Sequence, residues 1–203
     1  MSKVLSLRWL VVTVSAAMLL ATLATLGLPY AVVRYLPGAG EAKNDLINSC
    51  FLISGIVAVL ASIVFLAGLN WWAPSLVAIR QNTYLSVAFI LFTTGITLGP
   101  LTLIYIFVAS RRAAMGLVEG TVEGFLKLSL IGLLALFFGT SGVFTAWGLP
   151  PLLAFFFGAL FLLPRVQPGY KPKPIFRFAL LKSLLRFSIA NYGYFIKIFA
   201  HNI

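Results

Sequence analysis

The groups able to do chemistry in this chain are few, and their types exclude more than they allow. There is one cysteine, Cys50, one histidine, His201, and four acids, Glu41, Asp45, Glu119 and Glu123. A single cysteine forms no internal disulfide, and no thiolate cage for a metal can be assembled from it. The sequence holds no Cys/His pair, no metal-ligand spacing, no two carboxylates deep in one helix and no glycine-rich phosphate loop. It reads as a non-enzyme that needs neither a metal nor a cofactor. What remains is positive charge. Fifteen Lys/Arg stand against the four acids, a formal charge of +11. Six of them, Arg165, Lys171, Lys173, Arg177, Lys182 and Arg186, fall in one segment with three prolines and no acid. Glu123 and Lys127 stand four apart, the favourable order for a helical ion pair.

The elements that must carry these groups are apolar runs. Of the 203 residues, 61% are hydrophobic and 9% charged, and mean hydropathy is +1.05. Soluble domains carry about a quarter charged residues, so water could not solvate this surface. The basic residues punctuate apolar runs instead of clustering on a polar face, which argues for a lipid surface and against nucleic acid.

The runs read as an all-α, multi-pass membrane helix bundle with about five complete transmembrane helices and the start of a sixth. The first spans about Leu10 to Val33 and is too long for a signal peptide, with Pro29 expected to kink its last turns and Pro37-Gly38 to end it. The second, Ile47 to Leu69, closes on Trp71-Trp72, read as an interfacial aromatic belt against the alternative of two core tryptophans. The third, Tyr84 to Ala109, holds Thr93, Gly95, Thr97, Gly99 and Pro100, residues suited to close helix packing and a bend. Residues 113–129 read as an amphiphilic link. The fourth and fifth runs, Phe125 to Phe138 and Val143 to Leu163, pair as a hairpin about Gly139-Thr140-Ser141-Gly142. Residues 1–164 thus form the bundle, 165–186 a basic linker, and 187–203 the start of a further helix.

The excess of Lys/Arg places 165–186 on the cytoplasmic side, with Arg34, Lys43, Arg111, Arg112 and Lys127 on the same side, eleven basic residues against four. That orientation sets the amino terminus, with Lys3 and Arg8, outside without a preceding helix to export it, and it leaves 187–203 short for a span. Both ends therefore read as cut from a longer transporter.

Five stretches carry a family resemblance: GLPYAVVRYLP, RRAAMGLVEGTVEGFLKLSLIGLL, GVFTAWGLPPLLAFFFGALFLLPR, PGYKPKP and LLRFSIANYGYF. In order, they resemble the amino-terminal half of Wzx-type polysaccharide-biosynthesis flippases, in the multidrug/oligosaccharidyl-lipid/polysaccharide exporter superfamily. The resemblance implies one lobe of a two-lobed transporter in the plasma membrane, with 165–186 as the linker between lobes. It implies translocation of a polyprenyl-pyrophosphate-linked oligosaccharide between leaflets, with membrane lipids, that substrate, and a second transporter half or other polysaccharide-assembly proteins as partners. Arginine suits a pyrophosphate because its planar fork pairs with phosphate and stays charged. Arg34, Arg111, Arg112 and Asn191 are then the substrate-contacting candidates, against the plainer role of headgroup anchoring, which is the expected role of the six basic residues of 165–186. Two other readings stand beside it. A related drug or cation antiporter needs an acid buried at membrane depth, and Asp45, Glu119 and Glu123 are all expected in loops or link ends. A non-transporting membrane scaffold needs only the helices.

Overall fold

The protein's structure, a computed structural model, describes residues 3–174. Arg177, Lys182, Arg186, Asn191 and the run 187–203 lie outside the described residues. Within them every regular element is helical: α1 (Lys3–Ala24), α2 (Leu28–Tyr35), α3 (Lys43–Ala67), α4 (Leu69–Trp72), α5 (Val77–Gln81), α6 (Thr83–Leu98), α7 (Ile104–Ala109), α8 (Ala113–Phe157) and α9 (Leu163–Val166), with short 3₁₀ and π turns between them.

Each break has a local cause. Leu26 and Gly27 both take positive φ, 51° and 69°, and Pro29 follows at the start of α2. The first apolar run is therefore two helices bent by 41°, broken a turn earlier than proline alone predicts. Asn82 accepts hydrogen bonds from the backbone N–H groups of Tyr84 and Leu85 and so caps α6. There the chain turns by 106°, leaving Pro74–Gln81 across the end of the bundle. At Gly99-Pro100 the missing proline donor widens the helix into a π turn, Gly99–Leu103. The Thr102 hydroxyl donates to the Thr97 carbonyl at 2.6 Å there. A Schellman turn ends α7: Arg112 N–H bonds to Phe107 O and Arg111 N–H to Val108 O, with Arg111 at φ 56° in the position glycine usually fills.

The expected link at 113–129 is corrected. The chain is helical from Ala113 to Gly139, 27 residues, so Glu119, Glu123 and Lys127 ride on a candidate span instead of a loop. Lys127 accordingly drops out of the cytoplasmic loop charge. Gly139 (φ 56°, ψ −133°) breaks α8 into this first limb and a second, Ser141–Val166. Leu134 against Gly142, Lys127 over Trp147 and Glu119 beside Gly158 show the limbs running antiparallel, which is the hairpin the Gly-Thr-Ser-Gly stretch predicts.

Three helices are long and apolar enough to cross a membrane, Gly40–Ala67, Ala113–Gly139 and Ser141–Val166, and up to five are if each bent pair counts as one span. Two buried clusters stack along the bundle. One joins α2, α3, α7 and the end of the second limb, including Leu36, Leu46, Phe107, Leu163 and Tyr170. The other joins α1, α5, α6 and the start of the second limb, including Leu69, Ile79, Phe89 and Phe144. Small residues allow the approach: a Cβ on Gly95 or Gly148 would lie 2.7 Å from Leu152 N or Phe92 Cβ. By contrast the first limb buries nothing from Gly120 to Gly139, and Leu128 and Leu136 are 77% and 84% exposed. Such a face suits hydrocarbon better than water.

Candidate functional site

The first limb carries Glu119, Glu123 and Lys127 at spacings of four, on one stripe turned toward the bundle. Lys127 Nζ donates to Glu123 Oε1 at 2.9 Å, and the two side chains keep 25% and 14% exposure. The ammonium also stands over the Trp147 ring, 4.9 Å from its centroid, a cation–π geometry. These groups line a cleft of about 260 Å³ whose other walls are Met18 and Thr22 from α1 and Ile96 from α6. A carboxylate, an ammonium and an indole thus share one recess between otherwise apolar helices.

Below the cleft lies Glu119, which the structure buries completely. Neither carboxyl oxygen meets a hydrogen-bond partner. The pocket is made by residues without bulk. A Cβ on Gly99 would lie 3.2 Å from Glu119 Oε1 and 3.2 Å from the Pro151 carbonyl oxygen, and one on Gly158 would lie 3.3 Å from Glu119 Cγ. Both flanking glycines begin π turns, Gly99–Leu103 and Gly158–Leu162. Glu119 stands six residues past Ala113 in the candidate span Ala113–Gly139, about 9 Å at helical rise. The acid expected at a link end therefore lies inside a candidate span, fully buried. Three glycines at 116, 120 and 124 and two acids dilute the hydropathy of this turn and make it read as a link. The four-residue repeat of Glu119, Glu123 and Lys127 was the signal that marked it as one helix face.

The arginine candidates lie elsewhere. Arg34 is exposed at the end of α2, 5.8 Å over the Tyr35 ring, and Arg111 and Arg112 are exposed in the turn before the first limb. None lines the cleft. They share the basic end of the bundle with Arg165, Lys171 and Lys173, all exposed. There Asn44 Nδ2 donates to Gly169 O (3.1 Å), Asn48 Nδ2 to Lys171 O (3.0 Å) and Tyr170 Oη to Asn48 Oδ1 (2.8 Å), strapping the start of the basic segment onto α3. Burial pushes the Tyr170 hydroxyl up to about 12. At the opposite end Trp71 is 88% exposed and Trp72 54%, which removes the core-tryptophan alternative. Among the described residues no three His, Cys, Asp or Glu side chains assemble as a metal set. Compared with known protein families, curated proteins and solved structures, the chain gives no significant match to any.

Proposed function

We propose that the chain is a plasma-membrane translocator of polyprenyl-linked oligosaccharide, acting alone or with a second transporter half, in surface-polysaccharide assembly. The observation that carries the reading is the cleft in which Glu123, Lys127 and Trp147 converge between apolar helices. An ammonium pairs with a phosphate, an indole face stacks on a sugar ring, and a carboxylate accepts sugar hydroxyls, while the lipid tail stays in hydrocarbon. No bond is made or broken. Arg34, Arg111 and Arg112 at the basic end would meet the pyrophosphate before it enters, or hold headgroups there. The test is complementation of a flippase-deficient strain by this chain and by a version extended with its genomic neighbours. Restored surface polysaccharide supports the reading, and no restoration by either form, with both inserted, rejects it.

Glu119 favours a second reading, a cation-coupled antiporter of the same superfamily. A buried ionisable residue at membrane depth is a functional-site hypothesis by default. Drug efflux assayed in a strain lacking its own exporters separates the two.

A further inference from the structure

Glu119 has geometry that no cargo explains. Its carboxyl is fully buried with both oxygens unpartnered, in a joint closed by Gly99, Leu103, Pro151 and Gly158. Pro151 has no N–H to offer, and the carbonyl oxygen nearby is an acceptor. The charged groups on its own helix are Glu123 and Lys127, and they hold each other. The titratable groups of the α6–α7 rod, Tyr84 and Tyr105, sit away from it against Thr145 and Tyr30. Arg165 stands exposed at the end of the second limb, and Arg111 and Arg112 are exposed before the first. An ionised carboxylate in this setting would be a buried charge without a counter-ion, which costs far more than one tertiary contact returns. A neutral acid fits.

The joint also has the means to open. The two π turns that face Glu119 interrupt the regular helical bonding on either side of it. Gly139, at φ 56°, supplies a pivot at the far end of the first limb. Between pivot and joint the limb has no fully buried residue and meets the second limb through Lys127 over Trp147 and Leu134 against Gly142, so Glu119 is its last fully buried side chain before the pivot.

We propose that Glu119 is a proton-binding switch: protonated, it seals the first limb against α6 and the second limb, and ionised, it draws water into the joint and opens the cleft beside it. The sign follows from which state holds the proton. The sealed form binds it more tightly, so sealing is complete at low pH and is lost as pH rises, the ratio of sealed to open changing by up to about tenfold per pH unit. The inference is independent of what the chain carries.

The experiment uses the full chain in lipid nanodiscs bearing Ile96→Cys, a cleft-lining position, and a membrane-impermeant maleimide. Rates are corrected by a reference thiol and by the chain without the substitution, which keeps the buried Cys50. Labelling should rise severalfold with pH, stay low and flat with Glu119→Gln added, and keep its rise with Glu123→Gln added. At fixed pH, replacing sodium by N-methylglucamine should change nothing. An equal pH step in the Glu119→Gln protein overturns the switch. Should that variant fail to fold, the absence of a step in the Glu123→Gln protein, or labelling that follows sodium and ignores pH, overturns it equally.

Discussion

A Cβ on Gly95 would lie 2.7 Å from the backbone nitrogen of Leu152, so α6 and the second limb of the hairpin meet with no side chain between them. This contact sets the spacing of α6 and the second limb. Gly95→Val should force them apart and cost about 1–3 kcal/mol, the usual range for overpacking. Gly132→Ala, where a Cβ meets open space, should be neutral or stabilising by about 0.5–1 kcal/mol through helix propensity. Thermal melting in detergent reads both.

The strap on α3 gives a second prediction. Tyr170→Phe should lower stability by about 1 kcal/mol and Asn48→Ala, which also loses the bond to Lys171 O, by somewhat more, with the double variant costing less than their sum because the Tyr170–Asn48 bond is common to both. Burial raises the Tyr170 hydroxyl from 10.0 to about 12. Its contribution is therefore intact below about pH 10 and is lost as pH climbs toward 12, where the unfolded chain ionises first. Tyrosinate absorbance during alkaline titration should show one late-titrating group fewer in Tyr170→Phe than in the wild type.

These two contacts also show where sequence reasoning reaches and where it stops. The second run, though it starts four residues earlier as a helix than its apolar stretch, the hairpin at Gly139, the close packing around Gly95 and the exposed Trp71-Trp72 follow from composition and spacing, because long apolar runs, glycine and tryptophan have few alternatives in lipid. The first limb misleads because Gly116, Glu119, Gly120, Glu123 and Gly124 dilute the hydropathy of its first turns, although the helix as a whole is apolar enough to span and four-residue spacing still marks one helix face. Contacts such as Asn48 with Tyr170, 122 residues apart, have no local signature at all.

The charged cleft predicts a split between binding and insertion. Lys127→Ala removes both the Glu123 bond and the Trp147 contact, and should lower substrate affinity about 10- to 100-fold, the worth of a charge-assisted hydrogen bond, with insertion unchanged. Normal affinity in a properly inserted Lys127→Ala protein would remove the cleft as the substrate site.

For the arginines the expectation divides by position. Arg111→Gly deletes the charge while keeping the positive-φ turn that glycine prefers, so any defect reports charge and not backbone. Arg34→Gln does the same at the end of α2. Lost transport with normal topology indicates ligand contact, and altered topology in a glycosylation or cysteine-accessibility map indicates anchoring.

Trp71 and Trp72 should report a membrane–water interface at this end of the bundle. In a protein retaining only these two tryptophans, lipids brominated near the headgroup should quench fluorescence more strongly than lipids brominated near the chain end. The reverse order would place this end of the bundle in the bilayer interior.

The measurement that bears most directly on translocation is the leaflet distribution of the lipid-linked precursor in a flippase-deficient strain expressing the chain with its genomic neighbours, read by periplasmic accessibility of the sugar. The account predicts that the precursor becomes accessible from outside, and that Lys127→Ala in the same background returns it to the cytoplasmic leaflet. Precursor that stays cytoplasmic in cells where the wild-type protein is inserted would contradict it.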